Sequence, residues 1–171
     1  MEAGYTAQLN LEEDFEQFYV QVFPMIRALV FRMVGLDSME DVMQESFLRL
    51  WRARKNFRGE ANPRSWMYRI ALSAVMDHLR SKKKTPRYFE DSEKIPTDGN
   101  QAQVENHQLL FKAMATLTED HRAILSLFYF QDLDLKAVSE VLSLPEGTVK
   151  SRLHYAKKAL LERFERIGVR L

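Results

Sequence analysis

The sequence of 171 residues contains no cysteine, which excludes disulfide bonds, thiolate metal ligands and a cysteine nucleophile. No uncharged apolar run approaches the roughly 20 residues that a membrane-spanning helix needs. The N-terminal region is acidic and lacks the basic segment followed by an apolar stretch that is typical of a signal peptide. We therefore expect a cytoplasmic protein without membrane insertion.

Residues that would form a metal, cofactor or catalytic site are scarce or scattered. The sequence has only six glycines, and they do not form a phosphate-binding loop. The four histidines are spread along the chain without a paired metal-binding motif: His78, His107, His121 and His154. We predict no metal, no cofactor and no catalytic residue, so the chain is not expected to be an enzyme.

Charges of one sign are scarce in long stretches, although the net charge is only +1. Residues 1–48 carry nine acidic and two basic side chains, whereas residues 49–88 carry twelve basic and two acidic ones. A basic block of this density is typical of a polyanion-binding surface. Charge alone does not distinguish DNA from RNA or from an anionic lipid.

The periodicity of apolar residues predicts an all-α protein, because alternating β-branched patterns are nearly absent. The stretch "TPRYFEDSEKIPTDGNQAQ" has the composition of a flexible linker. It separates two small helical domains. We predict an N-terminal helical bundle at 1–84, a linker at 85–103 and a C-terminal helix-turn-helix domain at 104–171.

Capping residues and glycines set the predicted helix ends in the first half. A first helix should begin near Asn10 and end at Gly35, with a kink or break at Pro24. The Asn62-Pro63 pair should open the third helix, because it combines an N-cap with proline at the first helical position.

A second helix should begin at Asp37 or Ser38, with Glu40 completing a capping box, and run to about Lys55. Its polar face carries residues of both signs. From the residues alone, simple exposure to solvent is favoured over an interface for this face. The Glu45–Arg49 spacing suits a helical ion pair.

The third helix is apolar around most of its circumference. A rotation of 100° per residue leaves one thin polar strip of four residues: Arg69, Ser73, Asp77 and Arg80. Trp66 and Tyr68 lie near the helix start beside cationic residues, a combination that suits stacking of unpaired bases. Packing of either aromatic ring in the core is an equal alternative at this point.

In the second half, helical periodicity resumes near Val104. Thr118 should cap a helix that runs through Phe130. A short helix is predicted at about Leu135 to Leu142, followed by a turn and a long helix to about Ile167. This order and spacing is that of a helix-turn-helix.

The final helix carries no acidic residue from Gly147 to Leu161. Its apolar stripe (Val149, Leu153, Ala156 and Leu160) should face inward. The opposite face and its rim then hold Thr148, Lys150, Ser151, Arg152, Tyr155, Lys157 and Lys158. This composition favours a DNA recognition helix over a helical hairpin with a solvated face, because a solvated face usually mixes both signs.

Three motifs occur together, in order: "DSMEDVMQESFLRLWR", "RSWMYRIALSAVMDHLRSKKK" and "PEGTVKSRL". With the linker between the last two, they resemble a bacterial RNA polymerase sigma factor of the extracytoplasmic-function (ECF) group of the sigma-70 family. The resemblance covers nearly the whole chain. It implies a promoter-specificity subunit that binds core RNA polymerase, recognises the −10 and −35 promoter elements and promotes DNA melting.

The resemblance also implies roles for individual residues. Five would dock on the clamp helices of the polymerase largest subunit: Asp41, Gln44, Glu45, Leu48 and Arg49. The −10 contacts would come from Asn56, Arg58, Asn62, Arg64, Trp66, Tyr68, Arg69, Ser73 and Arg80. The basic run from Arg80 to Lys84, at the other end of the third helix from the aromatic residues, is expected to meet phosphate. The −35 contacts would come from Thr148, Lys150, Ser151, Arg152, Tyr155 and Lys158. Further implied partners are the flap of the second polymerase subunit and an anti-sigma factor.

The chain departs from the family pattern at Ser73, where asparagine is common, at Ser143, where glycine is common, and at Tyr155, where arginine is frequent. Two alternatives remain from the residues alone. One is a stand-alone helix-turn-helix regulator that binds an operator. The other is a helical protein-interaction module that does not bind nucleic acid.

Overall fold

The computed structural model describes residues 15–57, 62–82 and 109–166. The described residues form helices and turns and contain no strand, so the all-α prediction is confirmed. The helices are α1 (Phe15–Val34), α2 (Met39–Ala53), α3 (Pro63–Ser81), α4 (109–115), α5 (Glu119–Leu125), α6 (Leu135–Leu142) and α7 (Glu146–Arg166). The predicted linker at 85–103 and the predicted helix start near Asn10 lie outside the described residues.

Helix α1 is continuous across Pro24, where the sequence predicted a kink or a break. Pro24 lies on the exposed side of the helix, so water can hydrate the carbonyl that proline leaves without a donor. The helix ends as predicted at Gly35, whose φ of 74° favours glycine over any residue with a Cβ.

The caps of α2 and α3 differ. Ser38 precedes α2 but makes no side-chain capping bond, so the predicted capping box is wrong. Its hydroxyl instead accepts a hydrogen bond from the Lys82 ammonium at 2.6 Å, which ties the start of α2 to the end of α3. At α3 the prediction holds, because the Asn62 side chain accepts from the Arg64 amide at 2.9 Å and Pro63 follows it.

In the second half, α5 continues into a π-helical turn at Ser126–Phe130, so the helical stretch ends where the sequence predicted. The Asp134 side chain caps α6 by accepting from the Ala137 amide at 2.7 Å. Ser143 then takes the left-handed conformation (φ 52°) between α6 and α7, a position that glycine would occupy with less strain. Helices α6 and α7 form the predicted helix-turn-helix.

One continuous hydrophobic core contains buried residues from both halves of the chain. Within it, α3 packs against α6, and α1 packs against α5. Ile26, Leu29 and Met33 of α1 and Leu127 of the second half are fully buried. Each such side chain contributes about 1.5–3 kcal/mol through burial. The two halves are therefore in direct contact in this structure.

Candidate nucleic-acid interface and adjoining docking surface

Helix α7 turns its acid-free face outward. Val149 and Ala156 are buried, and α7 packs against α5 and α6, which fixes the rotation of the helix. The opposite face is open to solvent, and Tyr155 there is 62% exposed. The predicted orientation of α7 is confirmed: Lys150, Ser151, Arg152, Tyr155 and Lys158 are exposed, and Thr148 is half-buried.

Few bonds hold the exposed α7 side chains in place. The Ser151 hydroxyl donates to the Thr148 carbonyl at 3.0 Å, within the same helix. The Arg152 guanidinium lies 3.6 Å from the Asp120 carboxylate at the start of α5, and both groups are largely exposed. An exposed pair of this kind contributes little, so Arg152 can exchange its partner for a ligand at small cost.

Helix α3 exposes the thin strip that the rotation predicted: Arg69, Ser73, Asp77 and Arg80 are exposed, and most of their neighbours are buried. The strip continues onto α2 through Arg49. The Arg49 Nη1 atom donates to the Ser73 hydroxyl at 3.0 Å and to the Asp77 carboxylate at 2.7 Å. Its Nε atom donates to Glu45 at 2.6 Å. The polar surfaces of α2 and α3 are therefore one connected network.

The charges in this network reinforce one another. Hydrogen bonds to Glu45 and Asp77 raise the pKa of Arg49 above its ordinary value. The same contact with Arg49 lowers the pKa of Asp77, which stays ionised at neutral pH. Asp77 also lies 3.3 Å from Arg80. The strip could be predicted from helix rotation, but its link to Arg49 could not, because the link joins residues far apart in the chain.

The start of α3 is less exposed than the aromatic and basic composition suggested. Trp66 is half-buried, and its ring packs 5.0 Å from that of Phe57 and 6.2 Å from that of Phe18, between centroids. Asn62 is engaged as the helix cap. Asn56 is exposed, whereas Arg58, Lys83 and Lys84 lie outside the described residues.

Three residues of α3 contact the second half of the chain. Tyr68 is fully buried, and its hydroxyl donates to the Gln131 side-chain oxygen at 2.5 Å. The Arg64 guanidinium donates to the Gln131 carbonyl at 2.5 Å, and the Arg69 guanidinium donates to the Glu140 carbonyl at 3.1 Å. Burial raises the pKa of Tyr68, with Arg64 opposing in part, so the hydroxyl is a neutral donor at ordinary pH.

The outer face of α2 adjoins an aromatic groove that sequence analysis missed. Asp41, Gln44 and Leu48 are exposed, as predicted for a docking surface, and Glu45 and Arg49 are half-buried. Gln44 and Leu48 also line an open groove of about 400 Å³, which is completed by Phe15, Tyr19, Phe23, Met43, Phe47 and Trp51. The four-residue spacing of the α1 aromatics places them on one helix face and was the available signal.

In residues 15–57, 62–82 and 109–166, no cluster of three or more His, Cys, Asp or Glu side chains is arranged to hold a metal ion. Within the same ranges, none of the helices combines the length and apolar character needed to cross a membrane.

Comparison with known proteins identifies the family. Residues 18–85 match the family model described as Sigma-70 region 2, and residues 107–160 match the one described as Sigma-70, region 4. The chain is 32% identical over 137 residues to the ECF RNA polymerase sigma factor SigL of Mycobacterium tuberculosis, covering 76% of each chain. The chain belongs to the ECF sigma factors of the sigma-70 family.

Other similar proteins agree with this assignment. The sigma factor is 26% identical over 163 residues to the ECF RNA polymerase sigma-E factor of Salmonella typhimurium, covering 87% of this chain and 85% of that one. Its fold resembles that of the sigma factor RpoE from Bartonella quintana, crystallised with the anti-sigma factor NepR. That match has a TM-score of 0.75 at 21% identity and covers 90% of this chain and 98% of the other.

Proposed function

We propose that this sigma factor is a promoter-specificity subunit of RNA polymerase with three binding surfaces. Helix α2 docks on core polymerase, α3 melts and holds the −10 element, and α7 recognises the −35 element. The observation that carries the proposal is the exposed, acid-free face of α7, in a chain whose two halves match sigma-70 regions 2 and 4 in order. In this proposal the protein binds polymerase and DNA but catalyses no reaction itself. Its location is the cytoplasm.

The −35 surface consists of the exposed residues of α7. Arg152 and Ser151 reach toward base edges in the major groove, and Lys158, further along the helix, meets phosphate. Thr148, Lys150 and Tyr155 complete the surface. Tyr155 stands where the family often has arginine, so we expect it to alter base preference through ring contacts.

The −10 surface lies along α3. Trp66 provides a ring on which an unpaired base can stack, and Arg64, Arg69 and Arg80 provide charge for the strand backbone. Tyr68 adds a second ring if it becomes exposed. Asn56, Arg58 and Asn62 lie at or before the helix start, and the lysines from Lys82 onward extend the basic end. Ser73 is held by Arg49, which supports an indirect role through the α2–α3 network.

The polymerase-docking surface is formed by Asp41, Gln44, Glu45, Leu48 and Arg49 on α2. The aromatic groove beside Gln44 and Leu48 extends this surface with apolar contact area. Clamp helices of the largest polymerase subunit are the expected partner here, and the flap of the second subunit is expected to contact the second half. An anti-sigma factor is a further expected partner, since the solved relative was crystallised with one.

Run-off transcription with purified core polymerase on genomic DNA tests the proposal. Addition of the protein should create new start sites and a stable complex with core polymerase. An operator-binding regulator would bind DNA without either effect. Absence of both would contradict the proposal.

A further inference from the structure

The contact between the two halves covers part of the proposed −10 surface. Gln131, which is itself 5% exposed, receives hydrogen bonds from both Tyr68 and Arg64. The backbone N–H of Gln131 donates to the Ser126 carbonyl at 3.0 Å, so the π-helical turn holds Gln131 in place. In this arrangement Tyr68 cannot stack on a base, and one N–H donor of the Arg64 guanidinium is occupied.

A second set of contacts closes the same interface further along. The Arg122 guanidinium donates to the Met33 carbonyl at the end of α1, at 2.7 Å. The Arg32 guanidinium lies 4.3 Å from the centre of the Phe130 ring, the residue before Gln131. The Phe31 and Phe111 rings lie 4.8 Å apart. The arrangement is thus held by several contacts. Gln131 engages two proposed −10 residues, Tyr68 and Arg64, and the Glu140 carbonyl engages a third, Arg69.

The closed arrangement cannot serve both promoter elements. The −35 and −10 elements are about 25 base pairs apart by their names, or about 85 Å at about 3.4 Å per step. A compact chain of this length has a radius of gyration of about 15 Å and spans only about 40 Å. The halves must therefore separate before α3 and α7 can contact their elements together.

The contact is polar at Gln131, whereas the helices of the two halves otherwise share an apolar core, and the polar part suits reversible opening. Two buried polar atoms of the bonded residues find no hydrogen-bond partner in the described parts of the chain: Arg64 Nε and Gln131 Nε2. Water would satisfy both once the halves separate, so each favours the open state. Interfaces between domains that move are more polar than permanent ones.

We infer that Gln131 is an intramolecular latch: in the free protein it holds Tyr68 and Arg64 against the second half, so that the −10 surface is covered while the −35 surface stays exposed. The contact itself is a property of the fold, and its significance as a latch on −10 recognition rests on the function proposed above. Loss of the latch bond should raise the open fraction about five- to tenfold, the factor expected for one net hydrogen bond.

The test measures the distance between the halves in the free, full-length protein. Because the sequence contains no cysteine, Arg27→Cys on α1 and Glu162→Cys on α7, both at exposed positions, accept spin labels without competing thiols. Pulsed electron resonance then reports the distance distribution. Gln131→Ala is compared with Gln21→Ala, an exposed glutamine of α1, as the matched control.

The otherwise unchanged protein and Gln21→Ala should show one short-distance population, and Gln131→Ala should gain a longer one. An unchanged distribution in Gln131→Ala, at unchanged helical content by circular dichroism, would overturn the latch. If Gln131→Ala loses helical content, the distance distribution of Tyr68→Phe is the test instead. That variant removes the donor of the same Tyr68–Gln131 hydrogen bond. A distribution like that of the control in Tyr68→Phe would likewise overturn the inference.

Run-off transcription on the same variants separates this inference from the proposed function. With saturating core polymerase, Gln131→Ala should transcribe as the unchanged protein does. Selective loss of transcription in Gln131→Ala would mean that Gln131 contacts polymerase or promoter, and would overturn the latch. If neither protein transcribes while the distances shift as expected, the sigma function fails, and the contact between the halves stands.

Discussion

The two proposed DNA-binding surfaces differ in how the free protein holds them. The −35 surface on α7 is exposed, and its few bonds are local or weak. At the −10 surface on α3, Tyr68 is buried, and Arg64 and Arg69 donate to the backbone of the second half. The contact between the halves therefore leaves the proposed −35 surface exposed and covers part of the proposed −10 surface.

Replacement of Arg122 should disturb that contact most. Arg122 is 4% exposed, and it donates to the carbonyls of Met33, Ala115 and Leu117, which belong to different halves of the chain. Arg122→Met leaves these carbonyls without a charged donor, and we expect the free energy of unfolding to fall by about 3 kcal/mol. Urea denaturation measures the loss. The exposed Arg27→Met should cost less than about 0.5 kcal/mol, and equal losses would contradict this account.

The next largest effect is expected at Trp66. Trp66→Ala removes the proposed stacking ring and should impair open-complex formation more than closed-complex binding, by about 1–3 kcal/mol. Footprinting of the two complexes measures both steps. Because the ring also packs on Phe57 and Phe18, Trp66→Phe serves as the control that keeps an aromatic side chain. Equal losses in both steps would remove Trp66 from base stacking.

On the exposed surface, Arg152→Ala should relax −35 sequence preference at a cost of about 1–3 kcal/mol. Lys158→Ala is the contrasting variant. Loss of a phosphate contact should weaken binding uniformly across sequences and reduce the slope of log K against log salt concentration by about 1. Binding to a panel of −35 duplexes at several salt concentrations measures both. An unchanged preference in Arg152→Ala would exclude that residue from base readout.

The smallest effect concerns pH and the α2–α3 network. Arg49 lowers the pKa of Asp77, so this ion pair contributes to stability above the ordinary carboxyl pKa. That contribution is lost as the pH falls through the lowered value. In Arg49→Gln the Asp77 pKa, followed by NMR titration of the carboxyl carbon, should move back up. A pKa that stays lowered would show that Arg80 alone accounts for the shift.

Local features of the fold could be predicted from the sequence because they depend on neighbouring residues. The limits of α6 were predicted at Leu135 and Leu142, and the Asp134 cap directly before the helix agrees with that start. The exposed strip on α3 and the outward face of α7 follow from helix rotation. Each of these depends on residues within a few turns of one another.

Contacts between distant residues could not be predicted in the same way. Nothing in the periodicity of α3 indicates that Tyr68 meets Gln131, or that Arg49 reaches Ser73. The capping box predicted at the start of α2 is wrong for the same reason, since the Ser38 hydroxyl accepts from Lys82 at the end of α3. The roles of individual residues in polymerase and promoter binding rest on the family pattern and stay predictions.

The most direct test of the account compares the two surfaces in one titration. Fluorescence anisotropy of a −35 duplex and of a −10 non-template single strand is measured with the free protein and with the protein bound to core polymerase. We predict that the free protein binds the −35 duplex in preference to the −10 strand, and that core polymerase raises the affinity for the −10 strand far more than that for the duplex. Equal affinity of the free and polymerase-bound protein for the −10 strand would contradict the account.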